Sequence, residues 1–123
     1  MTLIEISREL PIRIRPRACE SDLCKAIQHM VAAGLTVPFE DICCASRGRA
    51  SVAFARQAAM YLAHVVMGLN YSEIGRVFGR DRTTAAYACR AVEDRRDHPN
   101  IDALLQSLED ALRNFAEKRG QVR

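Results

Sequence analysis

The chain contains no tryptophan, and aromatic residues make up only 6% of its 123 positions. Lysine is almost missing too: Lys25 and Lys118 are the only two, so arginine supplies the other sixteen of the eighteen basic residues. With alanine, leucine, valine and isoleucine plentiful instead, this composition favours packed helices over a β-sandwich. No long apolar run occurs. The longest uncharged stretch is the 16 residues between Arg56 and Glu73, and it holds Gln57, His64 and Asn70, which excludes a membrane span. Glu5, Arg8 and Glu9 stand where a signal peptide needs an apolar segment, so a cytoplasmic chain with no membrane partner is expected. A phosphate-binding G-x-x-x-x-G-K-[ST] loop is absent, and with it the expectation of a nucleotide partner. Nucleophile-elbow, H-E-x-x-H and paired-carboxylate patterns are absent as well, so the chain is not expected to be an enzyme. Cys19, Cys24, Cys43, Cys44 and Cys89 form no C-x-x-C pair, and His29, His64 and His98 lie far from ligand spacing. The cysteines therefore read as reduced packing residues, with no metal and no cofactor expected.

A chain of 13.8 kDa, 49% hydrophobic and 27% charged, is sized for one domain with its own core. The net charge of +3 conceals an uneven distribution. Residues 1–17 carry +2 and 18–44 carry −3, while 45–96 hold nine arginines and a charge of +5, before −1 over 97–123. A basic centre built of planar, bidentate donors suits phosphate or base-edge contacts. The competing account is a solvated, salt-bridged helix surface.

Residues 1–17 read as a basic N-terminal arm, flexible or in short strands, with Pro11 and Pro16 confining any strand to an edge. Residues 18–118 read as an all-α bundle of about six helices, and 119–123 as a charged tail. Apolar spacing predicts a first helix over 21–33, capped by Ser21 and stopped by Gly34. A short second helix follows Pro38 and carries Phe39, Ile42 and Cys43. Ser46-Arg47-Gly48-Arg49 forms a basic loop. The strongest helix spans 51–67 and ends at Gly68. Ser72 is expected to cap a short helix over 73–78, Gly79 to make a tight turn, and Asp81 to cap a helix over 82–96. Asn100 is expected to cap the last helix, whose face carries Leu104, Leu105, Leu108, Leu112 and Phe115.

Two helices joined by a short glycine turn have the outline of a helix-turn-helix, in which the second helix enters the DNA major groove by its N-terminal residues. Here that end reads Asp81-Arg82-Thr83-Thr84: arginine can pair with guanine, and threonine offers a hydroxyl and a methyl. The ordered run Ala55-Arg56-Gln57-Ala58-Ala59-Met60-Tyr61-Leu62-Ala63, Glu73-Ile74-Gly75-Arg76-Val77-Phe78-Gly79, Arg80-Asp81-Arg82-Thr83-Thr84 and Ala88-Cys89-Arg90 sharpens this reading. It resembles the C-terminal DNA-binding domain of the bacterial replication initiator DnaA, over about residues 21–115, as a stand-alone form without the ATPase module.

The resemblance implies a helical bundle whose helix-turn-helix and upstream basic loop bind double-stranded DNA. It places Asp81, Arg82, Thr83 and Thr84 in the major groove, Arg56 and Gln57 on phosphates or bases, and Arg47 and Arg49 nearest the minor groove. Asp81 serves equally as a helix cap, and Arg56 and Gln57 also suit a solvated helix start. The chain departs from the family pattern at five places: Tyr71-Ser72 for an apolar residue and proline before the helix-turn-helix; one glycine, Gly79, for two; Arg82 for histidine; Gly48 at the loop position of an arginine; and His64 at a basic position. These departures weigh against the usual DnaA box as target, not against DNA binding. The expected function is regulation of replication initiation or transcription at DnaA-type sites. The alternative is a protein-interaction module with little DNA binding that contacts replication-initiation proteins, the initiator or its regulators.

Overall fold

The computed structural model describes residues 18–43 and 50–118, which form six α-helices and no strand. The all-α bundle expected from the apolar spacing is the fold that forms. The arm over 1–17, the loop arginines Arg47 and Arg49, and the tail over 119–123 lie outside the described residues. Among the described residues no helix is long and apolar enough to cross a membrane.

α3 (Ala50–Val65) is the central element, packed against α1 (Ala18–Leu35), α2 (Phe39–Cys43), α4 (Tyr71–Phe78) and α5 (Arg82–Arg95). A helix surrounded on several sides must be apolar around much of its circumference, and α3 buries Val52, Phe54, Met60 and Leu62 together with four alanines. Ala55, Ala58, Ala59 and Ala63 are wholly buried, and their small side chains let neighbouring helices close in. α6 (Pro99–Lys118) covers α1 through Leu105, Leu108 and Leu112. Leu62, Ile74, Leu105 and Leu112 are completely buried, each stabilising the fold by about 1.5–3 kcal/mol relative to exposure.

Four expected helix ends move. α1 begins ahead of Ser21 and runs through Gly34 to Leu35, so neither residue delimits it. Gly34 is small for a packing reason: a Cβ there would stand 3.2 Å from Leu108 Cδ2. The left-handed turn falls on Thr36 at φ 56°, with the Thr36 and Val37 amides donating to the Ala33 and Ala32 carbonyls. α4 is capped by Asn70, not Ser72. Asn70 Oδ1 accepts from the Glu73 amide and Glu73 Oε1 accepts from the Asn70 amide, both at 2.8 Å. Ser72 could not close such a reciprocal box, because Gly75 lies three residues on. α6 starts at Pro99 rather than after Asn100, since proline suits a first helical position. His98 caps it: its Nδ1 accepts from the Asn100 amide at 3.2 Å, and its carbonyl accepts from Asp102.

Candidate nucleic-acid interface

α4 and α5 pack on each other and on α3, and only three residues separate them. Gly79 takes the left-handed conformation, φ 71° and ψ 34°, and the Arg80 amide reaches back 2.7 Å to the Gly75 carbonyl. The turn folds directly over Gly75: a Cβ there would lie 2.6 Å from the Arg80 carbonyl oxygen and 3.2 Å from that of Asp81. Gly79 supplies the backbone angle, and Gly75 supplies the room for the turn to lie against α4.

Asp81 caps α5 as its sequence position predicts. Its extended backbone lets Oδ1 accept from the Thr84 amide at 2.8 Å and from the Thr83 hydroxyl at 3.0 Å. The Thr84 amide above all, then the threonine hydroxyls, hold the Asp81 carboxyl below the usual carboxylate range. Behind the cap, Ala85, Ala88, Cys89 and Val92 bury one face of α5. Burial pushes the Cys89 thiol up to about 11, so it stays protonated and packs as an apolar residue, its Sγ 3.9 Å from the Met60 carbonyl. Asp81, Arg82, Thr83 and Thr84 are all exposed at the end of α5 opposite that packed face, brought together as the sequence suggests.

Arg56 is half-buried, with Nε donating to the Ile42 carbonyl at 3.3 Å and Nη2 to that of Asp41 at 2.8 Å. It thereby ties the end of α2 to α3. The same guanidinium lines a cleft with Gln28, Met60, Phe78 and Arg80, which brings it beside the turn before Asp81. Gln57, the next residue on α3, is half-buried. His64 braces the α3–α4 connection, its Nδ1 2.9 Å from the Leu69 carbonyl and its ring stacked on Tyr71 at 4.9 Å.

The arginines of the basic centre divide into those held against other side chains and those that are not. Arg95 lies over the Phe54 ring at 4.3 Å. Arg96 bonds Asp102 at 2.6 Å, the Tyr61 hydroxyl at 3.1 Å and the buried carboxylate of Glu109, joining α6 to the end of α5 and to α3. Sequence reasoning missed this cluster, whose partners are up to 35 positions apart. Arg76, Arg82 and Arg90 point outward instead. Arg90 shares a helical face with Thr83, seven residues before it.

This arrangement, a capped short helix, a tight glycine turn and a second helix presenting a polar N-terminus, defines a helix-turn-helix domain. Residues 24–92 match the family described as the bacterial DnaA protein helix-turn-helix, and the chain belongs to that family. It is 29% identical over 128 residues to the chromosomal replication initiator protein DnaA of Treponema pallidum subsp. pallidum, an alignment covering 92% of this chain and 27% of the relative. With the DnaA of Lactococcus lactis subsp. cremoris it shares 39% identity over 72 residues, covering 58% of this chain and 16% of that protein. The chain thus spans about a quarter or less of these relatives. A solved replication initiator DnaA, bound to AMPPCP and single-stranded DNA, superposes with a TM-score of 0.68 at 33% identity, over 78% of this chain and 29% of that one. A crystal structure of a DNA replication initiation factor gives the same score and identity over 77% of this chain and 29% of its own.

Proposed function

We propose that this chain binds double-stranded DNA with a sequence preference, laying the start of α5 in the major groove. Arg82, Thr83 and Thr84 read base edges there, and Asp81 sets their geometry as the cap. Arg47 and Arg49 engage the minor groove or its phosphates, and Arg56 and Gln57 approach the backbone beside the turn. The act is one of occupancy rather than catalysis, and it regulates replication initiation or transcription at DnaA-type or related sites. The exposed, polar N-terminus of α5, set on a helix-turn-helix of the DnaA family, is the observation that carries this reading. A gel-shift titration with random and enriched duplex pools tests it. Enrichment of one sequence over random duplex, unaffected by ATP, is expected. Equal affinity for every pool member, or none, would instead favour a surface that contacts replication-initiation proteins.

A further inference from the structure

α2 is five residues long, so almost all its carbonyls fall among the last four of a helix, which have no partner within it. Arg56, on the second turn of α3, takes two of them. Its Nη2 donates to the Asp41 carbonyl and its Nε to that of Ile42, across 15 and 14 positions of sequence. Consecutive carbonyls at a helix C-terminus carry partial negative charge, which suits a cation whose donors are fixed side by side. The first residue of α2 is held as well: the His29 ring of α1 lies on the Phe39 ring, 3.7 Å between centroids and 3° from parallel. Residues 44–49, which join α2 to α3, include Arg47 and Arg49. Both ends of that segment are thus referred to α3, one running into it at Ala50 and the other gripped by Arg56. The same guanidinium lines the cleft with Phe78 and Arg80, so it stands between the base of the basic loop and the turn into α5.

We propose that Arg56 is a positioning residue: by gripping the last turn of α2 from α3 it sets where the chain departs toward Arg47 and Arg49, and acts on DNA through them. The inference rests on the DNA-binding reading above and gives Arg56, which that reading sets beside the DNA backbone, its way of acting. A phosphate contact needs the guanidinium fork turned outward, whereas two of its donors here are turned onto backbone carbonyls of the protein. Loss of the fork leaves the packed face of α3 in place, because Ala55, Ala58, Ala59 and Leu62 bury it without Arg56. It releases the end of α2, and with it the point from which the loop arginines reach out.

The test is a double-mutant cycle, read by fluorescence anisotropy on the duplex that the wild-type chain enriches from a random pool. Arg56→Lys keeps the charge but replaces the planar fork with a point donor, so a phosphate contact would survive it and the grip on α2 would not. Affinities are compared for wild type, Arg56→Lys, the Arg47→Ala/Arg49→Ala pair and the triple variant. Arg56→Lys alone should weaken binding about three- to thirtyfold, the range over which a residue acting through its neighbours alters a coupled site. Added to the loop pair it should cost less than about twofold, because no loop arginine is left to position. Although Arg56→Lys removes no charge, its salt dependence should become shallower as the loop arginines lose their phosphates. Thermal melting verifies that each variant is folded. Where Arg56→Lys is not, His29→Ala, an exposed substitution that removes the stack on Phe39, takes its place in the cycle. Wild-type affinity in the positioning variant, an equal loss with and without the loop arginines, or a loop pair that binds like wild type overturns the inference alone. A wild-type chain that binds no duplex overturns the DNA-binding reading and this inference with it.

Discussion

The carboxylate of Asp81 is exposed yet engaged twice, by the Thr84 amide and the Thr83 hydroxyl, and this couples the protonation of one residue to the order of the first turn of α5. Because those bonds lower the folded-state value, the cap's contribution is complete above the ordinary carboxylate value of about 3.9 and is lost as pH falls through the lower folded value. Protection of the Thr84 amide against exchange, relative to its intrinsic rate at each pH, should therefore fall in acid, and more in the wild type than in Asp81→Asn; identical protection profiles would refute the coupling. Arg82, one residue on, projects outward from the first turn of α5. A bidentate contact to guanine is worth about 1–3 kcal/mol of discrimination, so Arg82→Ala should flatten preference at one base pair while sparing much of the non-specific affinity. Arg47→Ala and Arg49→Ala should weaken binding to most duplexes alike and make the salt dependence shallower. Selection from random duplexes separates the two patterns; uniform weakening by Arg82→Ala would place that side chain on phosphate.

At the scale of the element, the turn between α4 and α5 depends on two glycines for different reasons. Gly79→Ala meets no atom within 4 Å but must hold φ 71°, which costs about 1–2 kcal/mol. Gly75→Ala keeps ordinary helical angles but drives its Cβ into the Arg80 carbonyl, and backbone cannot swing aside as a side chain can. A loss of about 1–3 kcal/mol in urea unfolding is expected, together with displacement of α5 and weaker DNA binding. Gly79→Ala should cost stability with less effect on affinity per unit of stability lost. Equal affinity losses for the two variants at matched stability would show that α5's position does not depend on the close approach at Gly75.

Across the whole molecule, the basic centre is partly structural and partly presented. Arg96 and Glu109 clamp α6 onto the bundle, and losing Arg96 leaves a carboxylate 9% exposed with only the looser Arg113 guanidinium, 3.8 Å away, beside it. Arg96→Ala should cost about 2–4 kcal/mol in chemical denaturation, yet leave the salt dependence of DNA binding unchanged under conditions where the variant is folded. The outward arginines and the loop arginines should set that dependence. With about five phosphates contacted, log affinity should fall against log salt with a slope on the order of −4 to −5. A slope near zero would assign the basic centre to a solvated face.

The local signals in the sequence are those that act within a turn of helix. Asp81 capping Thr84, Gly68 and Gly79 in left-handed turns, and the alanine-rich stripe of α3 all act within a few residues, so spacing alone predicts six helices and the helix-turn-helix. The Asn70–Glu73 box was legible on the same grounds and was masked by the nearer Ser72. Other assignments depend on partners far along the chain. Gly34 looks like a helix stop until Leu108 is packed against it, and Arg56 looks like a free cation until the carbonyls of α2 arrive. Nine arginines between residues 45 and 96 are countable from the sequence. Which of them are engaged by Glu109, Phe54 and the end of α2, and which, like Arg82 and Arg90, face outward, was decided only by the tertiary structure. A guanidinium goes where helix packing leaves it a carboxylate, a ring or a carbonyl, and one that packing leaves at the surface keeps its planar donors for phosphate and bases.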